Sequence, residues 1–166
     1  GAFRVTLDTA FREVVAGCAA PRPNAGGTWI TPRMRRAYQR LHRSGLAHSC
    51  EVWRDDELVG GIYGVSLGAM FFGESMFFRD SDASKVALVS LVRQIERWGF
   101  SLLDCQVMNP HLESLGARTM SRSEFLDYLA ANAHQPTRRG PWRFDETADG
   151  PDAAEDPDRY HAGRAG

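Results

Sequence analysis

The sequence predicts an α/β (α+β) fold, in which a mixed and mostly antiparallel sheet carries helices on both faces. Residues 47–77 form short runs rich in β-branched and aromatic residues, separated by turn signals, as is typical of consecutive antiparallel strands. A long segment with helical apolar spacing, 82–99, leads directly into a buried run at 100–107. Two helical segments precede the strands, so the predicted order of elements is ααβββαβαβα.

The first two helices are predicted from capping and turn residues. Thr6 or Asp8 is expected to cap a helix that ends near Gly17. Thr31 as N-cap and Gly45 as C-cap delimit the second helix, which Pro32 opens as its first residue. Apolar residues recur along this second helix at helical spacing and are expected to face the core: Met34, Tyr38 and Leu41.

The remaining elements follow in order along the chain. Strands are predicted at 48–54, 57–67 and 69–78, and Asp82 or Ser84 begins the long helix that ends near Gly99. The run 100–107 is predicted as one strand. Asn109 caps a short helix, residues 117–120 add an edge strand, and Ser121 with Glu124 forms a capping box for the last helix.

Composition and charge restrict the classes of protein. The chain has 166 residues, 43% of them hydrophobic, and no apolar run of the roughly 20 residues that a membrane-spanning helix needs. Its N-terminus has no signal features, so we expect a cytoplasmic protein with no membrane partner. Three scattered cysteines and five histidines show no metal-ligand spacing, so we predict reduced thiols and no metal.

Charge is divided unevenly along the chain. Residues 145–166 hold seven acidic and two basic side chains, and few aliphatic ones, so we predict a disordered acidic tail after a single domain at 1–144. Residues 31–49 contain no acidic residue but carry a group of arginines that we expect to lie mainly on an exposed helix face: Arg33, Arg35, Arg36, Arg40 and Arg43.

A set of motifs resembles a known family. In chain order they are TWIT, AHSCEVW, ELVGGIYGV, FFGESMF, ASKVAL, LLDCQVMNPHLESLGA and SRSEFLDYL. They closely resemble the C-terminal domain of the leucyl/phenylalanyl-tRNA protein transferases, from about Phe3 to Phe144. The resemblance implies the GNAT acyltransferase fold. The family also has an N-terminal domain ahead of the position where this chain begins, so we expect a fragment or a reduced member of the family.

The resemblance implies an aminoacyltransferase. Such an enzyme moves Leu or Phe from Leu-tRNA or Phe-tRNA to the α-amine of proteins that begin with Arg or Lys, and its products enter N-degron degradation. The ester is already activated and an α-amine has a pKa near 7.7 to 8.0, so the protein mainly has to align the two reactants. The implied reaction needs no cofactor and no covalent intermediate.

Three polar residues are the catalytic candidates. Asp104 and Gln106 lie two positions apart near the end of a predicted strand, and the family's catalytic Asp and Gln match them. Helix capping is the alternative for this pair. Glu74 stands in an otherwise apolar strand and matches the family's functional glutamate, as a partner for the acceptor's cationic first residue; an internal salt bridge is its alternative.

The side-chain pocket and the tRNA contacts are also implied by resemblance. Trp29 would stack on the terminal adenine, with a buried anchor as the alternative, and the arginines would contact phosphates, with a merely solvated face as the alternative. The pocket for Leu or Phe maps onto apolar residues that are otherwise ordinary core positions: Ile62, Phe71, Met76, Leu88, Leu91 and Leu103.

Two other functions remain open from the sequence. One is a non-catalytic module that binds tRNA ends or basic N-termini. The other is an acyl-CoA N-acyltransferase, which usually places a glycine-rich turn at the N-terminus of its central helix to bind pyrophosphate. The equivalent stretch here, residues 77–88, has no glycine and carries two aspartates besides Arg79, so it disfavours acyl-CoA.

Overall fold

A single five-stranded sheet organises the computed structural model, which describes residues 3–21 and 28–145. The strands are β1 (Arg4–Leu7), β2 (Ala47–Arg54), β3 (Glu57–Leu67), β4 (Met70–Phe78) and β5 (Leu102–Asp104). The helices are α1 (Phe11–Ala19), α2 (Pro32–Arg43), α3 (Ala83–Arg97), α4 (Pro110–Ser114) and α5 (Arg122–Asn132). Residues 146–166 of the predicted tail, and 22–27, lie outside the described part of the chain.

The sheet is mixed and mostly antiparallel, as predicted. Strands β1 to β4 pair antiparallel with their neighbours in chain order, and β5 pairs parallel with β4 at one edge. Because β4 and β5 are parallel, the chain must cross the sheet between them, and α3 makes that crossing. The parallel pair places Asp104, the last residue of β5, beside Phe72, the third residue of β4.

Two apolar clusters lie on opposite faces of the sheet, which confirms the prediction of helices on both faces. Helix α1 packs on one face, where Val14 and Val15 are fully buried, and α2 covers the same face with Tyr38 and Leu41 partly buried. Helix α3 packs on the other face, and we call the cluster there the α3-side core. Alternation along the strands divides the residues between the two faces.

Helix α2 begins and ends at the residues that the sequence indicates. Thr31 Oγ1 accepts a hydrogen bond from Met34 N at 3.3 Å, and Pro32 is the first helical residue. Gly45 follows the helix with a φ of 72° and donates from its N–H to His42 O. This left-handed glycine lets Leu46 N reach Leu41 O, which closes the last turn.

Three predicted boundaries are wrong. Residues 4–7 form β1, because Thr6 pairs with Glu51 in β2, and α1 begins later, with Ala10 at its N-cap. The strand predicted at 100–107 ends at Asp104, because Gln106 has a φ of 64°, which no strand can continue. Residues 117–120 form no strand.

The segment after α5, residues 133–145, has no helix or strand but packs against the α3-side core. Trp142 is 2% exposed and stacks on His48 with 3.7 Å between ring centroids. Asp145 accepts hydrogen bonds from Trp98 Nε1 and Gln94 Nε2, which hold the pKa of its carboxyl below the usual range. None of the helices described here is long and apolar enough to cross a membrane.

Candidate active site

Glu74 occupies a β-bulge in β4. Tyr63 pairs with Ser75, but the next residue of β3, Gly64, pairs with Gly73, so Glu74 has no partner in the ladder. A Cβ on Gly64 would come within 2.2 Å of Phe72 O, so only glycine allows the strands to approach this closely. A bulge redirects a side chain away from the strand's regular alternation, and here it redirects a carboxylate.

Tyr38 of α2 is the hydrogen-bond partner of Glu74. Its hydroxyl donates to Glu74 Oε2 at 2.8 Å. Burial raises the pKa of Tyr38, and the hydrogen bond and negative charge of Glu74 raise it further, so the phenol keeps its proton at neutral pH. No described arginine forms an ion pair with Glu74. The partner of Glu74 within the chain is therefore the Tyr38 hydroxyl and not a salt-bridged arginine.

Asp104 and Gln106 form a tight turn at the end of β5, which we call the Asp104–Gln106 turn. Gln106 N donates to Asp104 Oδ1 at 2.7 Å, and Gln106 has left-handed backbone angles. Asp104 therefore fixes the backbone of Gln106 directly. Neither residue caps a helix, because the cap of α4 is Asn109, whose Oδ1 accepts from Leu112 N.

The side chain of Gln106 connects this turn to β4. Its Nε2 donates to Gly73 O at 3.0 Å, and Gly73 directly precedes Glu74. The pairing of β4 with β5 ends at Phe72 and Asp104, so the bond lies just past the end of the ladder. The structure thus ties Asp104 and Gln106 to the strand that carries Glu74, at the point where β4 and β5 stop pairing, while the Glu74 carboxylate bonds to Tyr38 of α2.

The predicted pocket residues belong to the α3-side core, and two of them lie close to Gly73. A Cβ built on Gly73 would lie 3.8 Å from Ile62 Cδ1 and 3.9 Å from Leu103 Cδ2. Four of the six predicted residues are at most 5% exposed: Ile62, Phe71, Leu88 and Leu91. The other two, Met76 and Leu103, are partly buried against them. All six are core residues in this structure, and their pocket role stays a prediction.

An open groove of about 770 Å³ lies along β5, between this strand and the chain from α4 to α5. Asp104 and Gln106 line it, together with the exposed residues Val107 and Met108 that follow the turn. The groove therefore gives the Asp104–Gln106 turn access from solvent.

The predicted tRNA contacts lie on a different part of the surface. Trp29 is 51% exposed, whereas its neighbour Ile30 is 1% exposed, so Ile30 and not Trp29 is the buried anchor. None of the arginines of α2 lines the groove. As predicted, a row of them is exposed: Arg33, Arg36, Arg40 and Arg43; Arg35 is partly buried.

Sequence reasoning missed the tyrosines beside Glu74. Tyr38 was predicted only as a core-facing residue of α2, since helical spacing does not reveal a partner on another element. Tyr63 is fully buried, its hydroxyl has no hydrogen-bond partner among the described residues, and its ring lies edge-on to Tyr38 at 5.0 Å. No cluster of potential metal ligands occurs in residues 3–21 and 28–145.

Solved structures define the class of fold. A ribosomal-protein-alanine N-acetyltransferase from Brucella melitensis superposes with a TM-score of 0.52 at 15% identity, over 73% of this chain and 94% of that one. A GNAT family acetyltransferase from Staphylococcus aureus gives 0.51 at 7% identity, over 73% and 95%. The chain therefore has the GNAT fold, as the resemblance implied.

Sequence comparison defines the family. The family model described as leucyl/phenylalanyl-tRNA protein transferase matches residues 1–130. The leucyl/phenylalanyl-tRNA–protein transferase of Alkalilimnicola ehrlichii is 57% identical over 150 residues, which are 90% of this chain and 58% of that protein. The one from Thiobacillus denitrificans is 57% identical over 143 residues, 86% and 63%. The chain belongs to the leucyl/phenylalanyl-tRNA protein transferase family, and it spans about three fifths of the length of these relatives.

Proposed function

We propose that this chain transfers Leu or Phe from aminoacyl-tRNA to the α-amine of proteins that begin with Arg or Lys, without a cofactor. The observation that carries the proposal is the hydrogen bond from Gln106 to Gly73, which fixes the Asp104–Gln106 turn beside Glu74. An amide that is fixed next to the strand carrying Glu74 suits a reaction that depends on positioning an amine. Family membership supports the same chemistry.

The reaction is one displacement. The neutral α-amine attacks the ester carbonyl carbon, a C–N bond forms, and the C–O bond to the tRNA ribose breaks. The amine loses a proton, and the departing ribose oxygen gains one, directly or through the neighbouring ribose hydroxyl. No side chain needs to form a covalent intermediate, because the ester is already reactive.

Gln106 orients the amine in this proposal. With Nε2 held on Gly73 O, its Oε1 is the atom that accepts a hydrogen bond from the incoming amine. An amide oxygen is too weak a base to hold the proton, so Gln106 positions and does not deprotonate. Asp104 keeps Gln106 in its left-handed conformation through the bond to Gln106 N.

Glu74 binds the acceptor's cationic first side chain. Its Oε2 accepts one hydrogen bond, from Tyr38, and a carboxylate can accept several more. A guanidinium or ammonium group supplies both charge and donors, which explains a requirement for Arg or Lys.

The tRNA occupies a surface on the α2 side of the molecule. Trp29 stacks on the terminal adenine, and the exposed arginines of α2 contact phosphates without reading sequence. The apolar residues around Gly73 receive the Leu or Phe side chain, and Met76 adapts to both shapes. The products are substrates for N-degron degradation, and the reaction takes place in the cytoplasm, where aminoacyl-tRNA is made.

Acyl-CoA is a poorer substrate for this fold. The N-terminus of α3 carries Asp80, which pairs with Arg54, and Asp82, which pairs with Lys85 at 2.6 Å. Each carboxylate neutralises the cation beside it, so neither Arg54 nor Lys85 adds a free positive charge for pyrophosphate at this helix end. The transfer experiment described next distinguishes the proposed enzyme from a non-catalytic binding module.

The test is transfer by the full chain. Purified protein is incubated with radiolabelled Leu-tRNA or Phe-tRNA and a peptide beginning with Arg, and the labelled peptide is measured. A peptide of the same sequence beginning with Ala is the control. Labelling of the Arg peptide alone supports the proposal; binding of Phe-tRNA by folded protein with no labelled peptide supports the non-catalytic module instead.

A further inference from the structure

The outer edge of β5 has no strand partner within residues 3–21 and 28–145. Strand β5 is the last strand of the sheet, and its only ladder among the described residues is the one with β4. No described residue forms a backbone hydrogen bond with the other edge of residues 102–104. Residues 117–120, which were predicted as an edge strand, line the groove as irregular chain. An exposed edge of this kind presents both N–H donors and C=O acceptors to an extended polypeptide.

The groove along this edge is large enough for a peptide and reaches two of the catalytic candidates, Asp104 and Gln106. Its volume of about 770 Å³ lies in the range of small-ligand sites, and residues from Ser101 to Met108 form one wall. The Asp104–Gln106 turn is part of that wall. A polypeptide whose α-amine is held at Gln106 therefore has this groove beside it for its next residues.

The opposite part of the lining is positively charged. Arg118 and Arg122 both line the groove and are exposed. Arg118 lies 3.9 Å from Glu124, a long and exposed pairing that neutralises little of its charge, and Arg122 forms no ion pair with any described residue. Beyond the first residue, the groove favours acidic side chains.

We propose that this groove binds the acceptor polypeptide downstream of its first residue, as an extended strand added to β5, and that Arg118 and Arg122 select acidic residues there. This inference rests on the proposed function. A peptide fits better than tRNA, because a strand edge needs a partner with alternating donors and acceptors, whereas a phosphate backbone offers acceptors. The exposed arginines of α2 lie outside the groove and remain the tRNA contacts.

The experiment compares acceptor peptides that begin Arg-Ala and continue with two glutamates or two lysines. Transfer is measured as kcat/KM at saturating aminoacyl-tRNA, and binding of each fluorescent peptide is measured by anisotropy without tRNA. We expect the wild type to favour the acidic peptide roughly tenfold in both measurements, as two exposed charge pairs allow. The double variant Arg118→Glu/Arg122→Glu should reverse this preference.

A matched double variant controls for total charge. Arg12→Glu/Arg97→Glu changes two exposed arginines that do not line the groove, and it should keep the wild-type preference. A third peptide carries Pro at the position after Arg-Ala, which removes one backbone N–H donor, and a fourth carries Ala there. If the peptide binds as a strand, the Pro peptide should bind more weakly than the Ala peptide. Urea unfolding confirms that each variant is folded.

The outcomes separate this inference from the proposed function. An unchanged preference in Arg118→Glu/Arg122→Glu overturns the groove assignment even if transfer is normal. Weakened tRNA binding in that variant, with unchanged peptide preference, assigns the groove to tRNA and also overturns it. If no peptide is labelled at all, the proposed function fails, and the anisotropy measurements still decide whether the groove binds acidic peptides.

Discussion

Glu51 places a carboxylate inside the sheet, where its side chain is fully buried. The hydroxyls of Thr6, Thr9 and Ser49 donate to it, as does Thr9 N. Burial raises the pKa of Glu51 above the usual range, although the hydrogen bonds act in the opposite direction. The proton is therefore held more tightly by the folded chain than by the unfolded chain.

This shift predicts a pH dependence of stability. Because the folded pKa of Glu51 is raised, its contribution to the free energy of unfolding is complete below the ordinary glutamate pKa and is lost as pH rises through the folded value. Urea unfolding between pH 4 and 7 should show wild type losing stability relative to Glu51→Gln as pH rises. Glu57→Gln, on an exposed carboxylate of β3, controls for the removed charge. A difference that is constant with pH would contradict the shift.

At the residue scale, the sequence identified the polar candidates but not their geometry. Glu74 is a candidate because a carboxylate among Met and Phe is costly, and Asp104 and Gln106 are candidates because they follow an apolar run. No sequence pattern predicts the bulge at Glu74. The register between β3 and β4 depends on how closely the two strands approach each other at Gly64. The left-handed Gln106 was also missed, since few residues other than glycine and asparagine adopt that conformation.

Helices α2 and α3 end in the same way, at glycines with positive φ. Gly45 has a φ of 72° and Gly99 one of 78°. Their surroundings differ: a Cβ on Gly45 would come 2.5 Å from Gly140 N in the segment after α5, whereas a Cβ on Gly99 meets nothing within 4 Å. The two positions therefore separate backbone strain from tertiary packing.

Alanine at each glycine should destabilise the protein by different amounts. Gly99→Ala should cost about 1 to 2 kcal/mol, the cost of a left-handed Cβ. Gly45→Ala should cost about 1 to 3 kcal/mol more, because Gly140 must move. The measurement is urea unfolding of both variants; equal effects on the free energy of unfolding would show that the segment after α5 does not pack against the end of α2.

The arginines of α2 predict a salt dependence of tRNA binding. Removing one arginine–phosphate interaction should reduce the slope of log affinity against log salt concentration by about 0.7 to 0.9. Arg36→Ala and Arg40→Ala should each weaken binding and reduce the slope, whereas Arg97→Ala, on α3, should do neither. If the slopes are unchanged, the tRNA follows another path across the surface.

At the element scale, helices were predicted better than short strands. Capping residues mark the N-terminal ends of α2, α4 and α5. Each of these ends depends on a hydrogen bond between one side chain and an N–H three residues later, so it is visible in the local sequence. Strand β1 has four residues and depends on pairing with β2, which no local pattern shows. Strand β5 is shorter than its apolar run because the turn at Gln106 ends it.

At the scale of the whole molecule, two tryptophans have opposite roles. Trp142 is 2% exposed and packs with Phe71, Trp98 and Phe100, whereas Trp29 is 51% exposed. The sequence did not predict that the segment after α5 would return to the core, because its partners are far away in the chain. Trp142 belongs to that segment and packs into the α3-side core.

Substitution of each tryptophan should affect a different property. Trp142→Ala should lower the free energy of unfolding by about 3 to 5 kcal/mol, and Trp142→Phe by less. Trp29→Ala should change it by no more than about 0.5 kcal/mol but weaken tRNA binding by about 1 to 3 kcal/mol, the value of one stacked base. Thermal unfolding and tRNA titration check both; strong destabilisation by Trp29→Ala would contradict its exposed position.

The central claim is that Gln106 positions the attacking amine for transfer, and single-turnover kinetics of Gln106→Ala test it most directly. The rate of transfer from preformed Phe-tRNA complex to an Arg peptide is measured together with the Kd for Phe-tRNA. Gln106→Asn, which keeps an amide and tolerates left-handed angles but is one methylene shorter, is the matched variant. We predict a rate loss of about 100-fold or more in Gln106→Ala, with a Kd within about twofold of wild type, because the amide acts on the reacting amine. An unchanged rate, or an equal loss in rate and affinity, would contradict the claim.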